Sequence, residues 1–254
     1  MNEHMIQLPV RQLFGVPVHA ATMADALALC RRAIDQQQRL LIGVVNAAKI
    51  VAMRRNALLR DSVCSADLVL ADGMAVVWAS RILGQRLPER VAGIDLFESL
   101  LALGSKHRYS AYFLGATQAV LDAVLQRVRT VYPGVRIVGS HNGYFGDPEA
   151  DSIAKAISAA QPDMLFVAMT SPKKEIFLST WGPHLGTRIC HGVGGSFDVF
   201  AGKTRRAPRL WQQLGIEWLY RVWQEPGRLW RRYLVTNVAF VGLVLAEAVR
   251  RSRR

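Results

Sequence analysis

Short apolar runs alternate with longer stretches of helical spacing from Leu40 onward. LLIGVV (40–45), DLVLA (67–71), YSAYFLG (109–115), VRIVGS (135–140), DMLFVAM (163–169) and TRICHGVGG (187–195) read as strands. Between them lie AAKIVAMRRNALLRD (47–61), MAVVWASRILG (74–84), IDLFESLLALGS (94–105) and TQAVLDAVLQRVRTVYP (117–133), all with helical periodicity. Gly84 and Pro133 mark the ends of two of these. A further helix is expected from Pro148 to Ala160, and a short one at Ser171-Pro172. Strands separated by ten or more helical residues pack as a parallel sheet covered on both faces. The expected class is therefore α/β, a Rossmann-like, mostly parallel sheet with helices on both faces.

After Pro208 the pattern changes. Trp211, Leu214, Trp218 and Val222 fall on one helical face, Pro226-Gly227 interrupts, and a second helix is expected from about Arg228. The apolar run LVTNVAFVGLVLAEAV (234–249) is shorter than the about 20 residues of a membrane span, so a buried or interface-lying helix is expected. Residues 1–202 read as an α/β catalytic domain and residues 203–254 as a basic, tryptophan-rich helical appendage. No basic segment followed by an apolar run stands at residues 1–15, so no signal peptide is expected.

The 254-residue chain is long enough for a sizeable core. Its three cysteines, Cys30, Cys64 and Cys190, lie far apart and form no metal-ligand spacing. Charge alters the picture more. The formal net charge is +13, and residues 203–254 hold twelve Lys and Arg against three Glu. That excess suits nucleic acid, anionic lipid or a phosphorylated substrate. Tryptophan beside arginine in helical sequence favours a membrane surface, and no nucleic-acid module is present.

In such sheets ligands meet the C-terminal strand ends. Four points converge there: Asn46, Asp72-Gly73, TSPKKE (170–175) and HGVGGSFD (191–198). Asp72 can take a proton from a hydroxyl nucleophile, or merely cap a turn. Asn46 can orient a hydroxyl or cap the helix that follows. The helix start at Ser171 and Pro172 suits a diphosphate, with charge from Lys173 or Lys174. Glu175 can close an imperfect capping box or bind a sugar or base. Gly192, Gly194 and Gly195 permit close backbone approach, while Asp198 can hold a sugar hydroxyl or cap the next segment. The glycine spacing matches neither the dinucleotide fingerprint nor the P-loop, and neither His141 nor His191 belongs to a metal motif. No metal and no cofactor are expected.

The segments VVNAAKIV (44–51), ADLVLADGMAVVWASRILG (66–84), ERVAGIDLF (89–97), FLGAT (113–117), MTSPKKEIF (169–177), GVGGSFDVFAGKTRRAP (192–208) and LGIEWLYRVWQEPGRLWRRY (214–233) occur in fixed order. In this order the chain resembles the WecG/TagA/CpsF family of bacterial glycosyltransferases. The resemblance implies inverting, metal-independent transfer from a UDP-sugar to a polyprenyl-diphosphate-linked sugar at the cytoplasmic face of the inner membrane. It implies that Asp72 is the general base and that Asn46 lines the acceptor site. Val44 stands where many members have threonine, and Thr170 and Lys174 stand near a glycine and a glutamine of the family motif.

Within the family the chain looks most like the branch of xanthan-type polysaccharide assembly. The expected reaction is β-1,4 transfer of glucose from UDP-glucose to glucosyl-diphospho-undecaprenol. The alternative is an N-acetylmannosamine or N-acetylmannosaminuronic acid transferase acting on N-acetylglucosaminyl-diphospho-undecaprenol. The family's appendage folds over the pocket and meets the membrane, which assigns Trp211, Trp218, Trp223 and Trp230 to lipid or to packing. Arg205, Arg206, Arg209, Arg221, Arg228, Arg231 and Arg232 are candidates for the acceptor diphosphate or anionic headgroups. A peripheral membrane location follows, and the resemblance also allows a homo-oligomer.

Overall fold

The computed structural model describes residues 8–213, 215–224 and 226–252. Its first elements precede the alternation read from Leu40 onward, although α1 buries Ala26, Leu29, Cys30, Ala33 and Ile34 at helical spacing. Strands β1 (Val10–Leu13) and β2 (Val16–His19) form an antiparallel hairpin, and α1 (Met23–Asp35) follows. Phe14 and Gly15 both take positive φ, 56° and 78°, as a two-residue hairpin turn demands. Thr22 and Asp25 close a reciprocal capping box at the start of α1.

The six expected strands are β3 (Leu40–Val45), β4 (Leu68–Ala71), β5 (Ser110–Gly115), β6 (Arg136–His141), β7 (Met164–Ala168) and β8 (Ile189–Gly192). They form one parallel sheet in the order β4-β3-β8-β7-β5-β6. The intervening helices are α2 (Ala47–Met53), α3 (Ala57–Cys64), α4 (Met74–Ile82), α5 (Gly93–His107), α6 (Gln118–Val131), α7 (Asp147–Ala160), α8 (Lys173–Trp181) and α9 (Ser196–Phe200). The stretch expected as one helix over 47–61 is two. The first ends at Met53 with Arg54 as its C-cap, and Asn56 caps the second by accepting the Leu59 N–H.

Alternate side chains leave the two faces of the sheet. Leu40, Ile42, Phe113, Phe166 and Ile189 meet α1, α5, α6 and α9 in one core cluster. Leu41, Leu114, Leu165, Val167 and Cys190 meet α7 and α8 in another. Both faces are therefore covered, which is why β5 and β7 read as unbroken apolar runs. A third cluster joins the hairpin, α2, α3 and α4 to the C-terminal region through Phe240 and Val244.

That region is helical: α10 (Arg209–Gln213), α11 (Glu217–Gln224) and α12 (Pro226–Ser252). Trp211 and Trp218 do not share one helix as their spacing suggested, because Gly215, with φ of 64°, turns the chain between α10 and α11. A Cβ at Gly215 would lie 2.7 Å from both Met74 and Trp78, so only glycine lets this turn close on α4. Helix α12 starts at Pro226, two residues before the expected point, since proline is well suited to a first helical turn. The run 234–249 is embedded in this 27-residue helix. By length and composition alone, Tyr233–Ser252 is long and apolar enough to cross a membrane. One face of it sits on the protein, where the Phe240 ring lies 5.3 Å from that of Phe14. The opposite stripe, including Leu234, Val238, Val241 and Leu245, is exposed.

Phe240→Ala should lower unfolding stability by about 3 kcal/mol, as expected for truncating a buried phenylalanine. Urea titration checks this, and a loss below the error of the titration would mean that α12 is not seated on the hairpin.

Candidate active site

Strands β3 and β4 run in register, with Val45 opposite Ala71, so the residues that follow them emerge side by side. Asn46 caps α2, its Oδ1 accepting the Lys49 N–H at 3.0 Å. Asp72 donates its own N–H to the Val45 carbonyl at 2.8 Å. The Asp72 carboxylate does not cap the helix that follows it. Its Oδ1 accepts the N–H of Gly93, the first residue of α5, at 2.8 Å. The carbonyl of the same Gly93 lies 3.1 Å from His191 Nε2. A carbonyl can only accept, so that nitrogen carries the proton. Burial pushes His191 down to about 4, so it is neutral near pH 7.

Burial is also the largest influence on Asp72 and raises it above its ordinary value. The Gly93 N–H, Lys49 and Arg90 pull in the other direction, and Glu217 adds to the rise. A carboxylate held in this way is a stronger base than one in water.

Below this pair lies a buried ion cluster. Lys49 Nζ and Lys174 Nζ both approach Glu175 Oε1 at 2.8 Å, with all three side chains more than nine-tenths buried. The two ammonium groups drive Glu175 down to about 2, overcoming a burial effect of opposite sign. Beside the cluster is a cavity of about 20 Å³, lined by Gly43, Ser62, Lys174 and Gly192 among others, which is room for about one water. Gly194 takes φ of 54°, and the Lys174 ammonium lies 3.8 Å from where its Cβ would stand. The glycine turn thus leaves space along the lysine stem.

The structure therefore joins Asn46, Asp72, Gly73, Lys174, Glu175, Gly192 and Gly194 around adjoining strand ends. Other predicted residues go elsewhere. Lys173 donates to the Phe145 carbonyl at 2.6 Å and lies over that ring, while Asp198 pairs with Lys203 at 3.4 Å. Ser171 and Pro172 precede α8, whose start has no side-chain cap. A Cβ at Gly195 would meet open space. Arg206 bridges to Asp95 at 2.6 Å, Arg205 is exposed, and Arg231 lies over the Trp230 ring. The side chains of Arg209, Arg221, Arg228 and Arg232 lie outside the described residues. Trp211 is half-buried, edge-on to Tyr220, whereas Trp218, Trp223 and Trp230 are exposed.

Three contributors were missed by reading the sequence for polar groups after strands: Lys49, Arg90 and Gly93; His191 opened an expected strand-end segment but was weighed only as a metal ligand. Lys49 had a signal, a lone cation in the apolar first turn that follows Asn46. Arg90 lay in what read as a connecting loop, yet it reaches Glu217 at 3.2 Å and Asp95 at 3.7 Å. Among the described residues, no group of three or more His, Cys, Asp or Glu is placed to hold a metal ion.

The model of the glycosyl transferase WecG/TagA/CpsF family matches residues 11–254. The chain belongs to this family. It is a glycosyltransferase. Two relatives, from Bacillus spizizenii and Bacillus subtilis, are each 36% identical over 201 residues, covering 79% of this chain and 77% of their own length. Both are named N-acetylglucosaminyldiphosphoundecaprenol N-acetyl-beta-D-mannosaminyltransferase. This corrects the expected placement in the xanthan branch, and with it the UDP-glucose donor and glucosyl-lipid acceptor. The segments that carry the family resemblance build strand ends and a glycine turn, and they leave the sugar open.

The depressed His191 has a consequence for stability. Between pH 6.5 and about 4 the unfolded chain takes up a proton that the folded chain resists. This contribution is complete above pH 6.5 and declines as pH falls toward 4. His191→Gln should flatten that part of a stability-against-pH curve, and an unchanged slope would show that His191 titrates normally in the fold.

Proposed function

We propose that this enzyme transfers N-acetylmannosamine from a UDP-linked donor to N-acetylglucosaminyl-diphospho-undecaprenol, with inversion at the anomeric carbon. The observation that carries the reading is Asp72, a half-buried carboxylate at a strand end, held by the Gly93 N–H and raised above its ordinary value by desolvation. The names of the two Bacillus relatives supply the sugar and the acceptor.

In this mechanism Asp72 takes the proton of the acceptor hydroxyl as that oxygen attacks the anomeric carbon. The bond to UDP breaks in the same displacement, and UDP leaves with the electron pair. Asn46 lines the acceptor side. Positive groups and backbone donors near Lys174 and the 192–195 turn favour the departing diphosphate.

Residues 203–254 act as an appendage that brings the site to the cytoplasmic face of the membrane as a peripheral protein. Support comes from its charge, from Trp223 at 73% exposed and Trp230 at 46%, and from the exposed apolar stripe of α12. Tryptophan suits the headgroup level, and arginine suits anionic lipid.

A panel of UDP-sugars and lipid-diphosphate acceptors tests the chemistry. Transfer from UDP-N-acetylmannosamine to the N-acetylglucosaminyl lipid is expected, and transfer confined to another donor would overturn the substrate assignment. Asp72→Asn keeps an oxygen for the Gly93 N–H, so it should fold normally yet lose about 10²–10⁴-fold in kcat. Retained turnover would remove Asp72 from the role of base. Deleting residues 203–254 would strip Phe240 and Val244 from the core, so substitution is the better test of membrane binding. The double variant Trp223→Ala, Trp230→Ala should sediment about tenfold less with anionic phospholipid vesicles. Unchanged sedimentation would sink the membrane reading for these residues.

A further inference from the structure

Helix α5 begins without a cap of its own. Ala92 stands at its N-cap position and offers no side-chain acceptor, and the first helical residue is Gly93. Glycine has the widest backbone freedom, and the first N–H groups of a helix find no partner within it. A start built in this way would fray if nothing else held it.

Two residues from elsewhere in the sheet hold it. Asp72, directly after β4, accepts the Gly93 N–H at 2.8 Å. His191 of β8 donates from Nε2 to the Gly93 carbonyl at 3.1 Å. The approach to the helix is fastened as well, since the Val91 N–H reaches the Ala71 carbonyl at 2.9 Å. The N–H and the carbonyl of one residue lie in two different peptide planes, so the pair of bonds fixes both rotations about the Gly93 Cα.

Satisfying that carbonyl does not require the imidazole. A carbonyl in the first turn already accepts an N–H from the next turn of its own helix. Packing does not require it either. The ring is fully buried, and it and a Val44 methyl each lie 3.9 Å from where a Gly93 Cβ would stand. An apolar side chain would fill that place without the cost of burying a polar group. What the imidazole adds is direction at Gly93.

The reaction gives that direction a use. When Asp72 takes the acceptor proton it becomes a neutral acid, and its hold on the Gly93 N–H weakens, because charge-assisted hydrogen bonds are about twice as strong as neutral ones. The bond from His191 does not involve the moving proton and still fixes Gly93. The N–H is then in place when Asp72 releases the proton to water and its charge returns.

We propose that His191 is a positioning residue, which acts through Gly93 to keep the Asp72 carboxylate in place during the reaction. The inference rests on Asp72 being the base. It assigns a role in turnover to a side chain that lies behind the first turn of α5 and has no access to substrate.

The test joins amide exchange, followed by NMR, to steady-state kinetics on the full-length protein. His191→Leu keeps an apolar side chain of similar bulk in the core and removes the donor. Exchange at the Gly93 amide should quicken about tenfold relative to Leu100 and Leu101, whose protection reports opening of the whole helix. With the substrates identified by the panel above, kcat should fall about tenfold while both KM values hold. His191→Gln places an amide N–H where Nε2 stood and should recover most of both. Should His191→Leu fail to fold, His191→Asn is too short to reach the carbonyl and should show the same two effects.

Exchange that rises uniformly along α5, with kcat unchanged for the folded enzyme, would reduce His191 to a residue of stability and overturn the proposal. A loss of kcat that His191→Gln does not recover would overturn it too, since the donor would then not be what matters. So would a loss of kcat with Gly93 exchange unaltered. The exchange reading needs no substrate, so it stands apart from the assignment of the sugar. An active Asp72→Asn enzyme removes the base itself, whereas an inactive one beside an unaltered Gly93 amide in His191→Leu removes only the role of His191.

Discussion

The peptide of Gly93 is gripped at both of its polar ends. Its N–H holds Asp72, and its carbonyl is held by His191. Three elements that are distant in sequence therefore meet at one residue: the end of β4, the start of α5 and strand β8. Helix α5 cannot shift to accommodate the carboxylate, because Leu96, Phe97, Leu100 and Leu101 are fully buried behind it. The Phe97 ring packs against Phe166, Phe197 and Phe200 at 4.8, 5.6 and 5.3 Å. The precision of a single carboxylate thus derives from an apolar core on one face of the sheet, since close-packed interiors transmit strain poorly absorbed elsewhere.

Burial sets the electrostatics of the same place. It raises Asp72 and lowers His191, each toward the neutral form. Glu175 is the exception, because two ammonium groups outweigh its burial. The result is a neutral histidine that serves as a hydrogen-bond donor, beside a carboxylate whose charge depends on its neighbours. Fixed charges in a dry site act more strongly than they would in water.

The C-terminal helices are fastened beside this site in three ways. Phe240 and Val244 enter the core next to the hairpin, and the Gly215 turn closes on Met74 and Trp78 of α4. Arg90 and Arg206 bridge α11 and α5 through Glu217 and Asp95. Helix α4 begins directly after Asp72-Gly73, so contact with it brings the basic region close to the carboxylate. The same region turns Trp218, Trp223 and Trp230 outward.

Reading the chain alone determined the parallel α/β class, because β5, β7 and the helices between strands carry local periodic signals. It also put Asn46, Asp72 and the turn after Gly192 at strand ends, because the apolar runs before them stop there. The hairpin at Val10–His19 escaped notice because Arg11, Gln12 and Pro17 interrupt its apolar residues and Phe14-Gly15 is not a usual hairpin turn pair, and the break before Asn56 because helical spacing continues on both sides. The sugar was misread because motifs at strand ends describe the framework rather than the groups that read hydroxyls. Only the tertiary structure decided that Asp72 binds Gly93, that Lys49 shares Glu175 with Lys174, and that His191 is a neutral donor. Hydrogen bonds, burial and shifted titration arise between residues 21 to 126 positions apart, and no local pattern records which of them the fold will bring together.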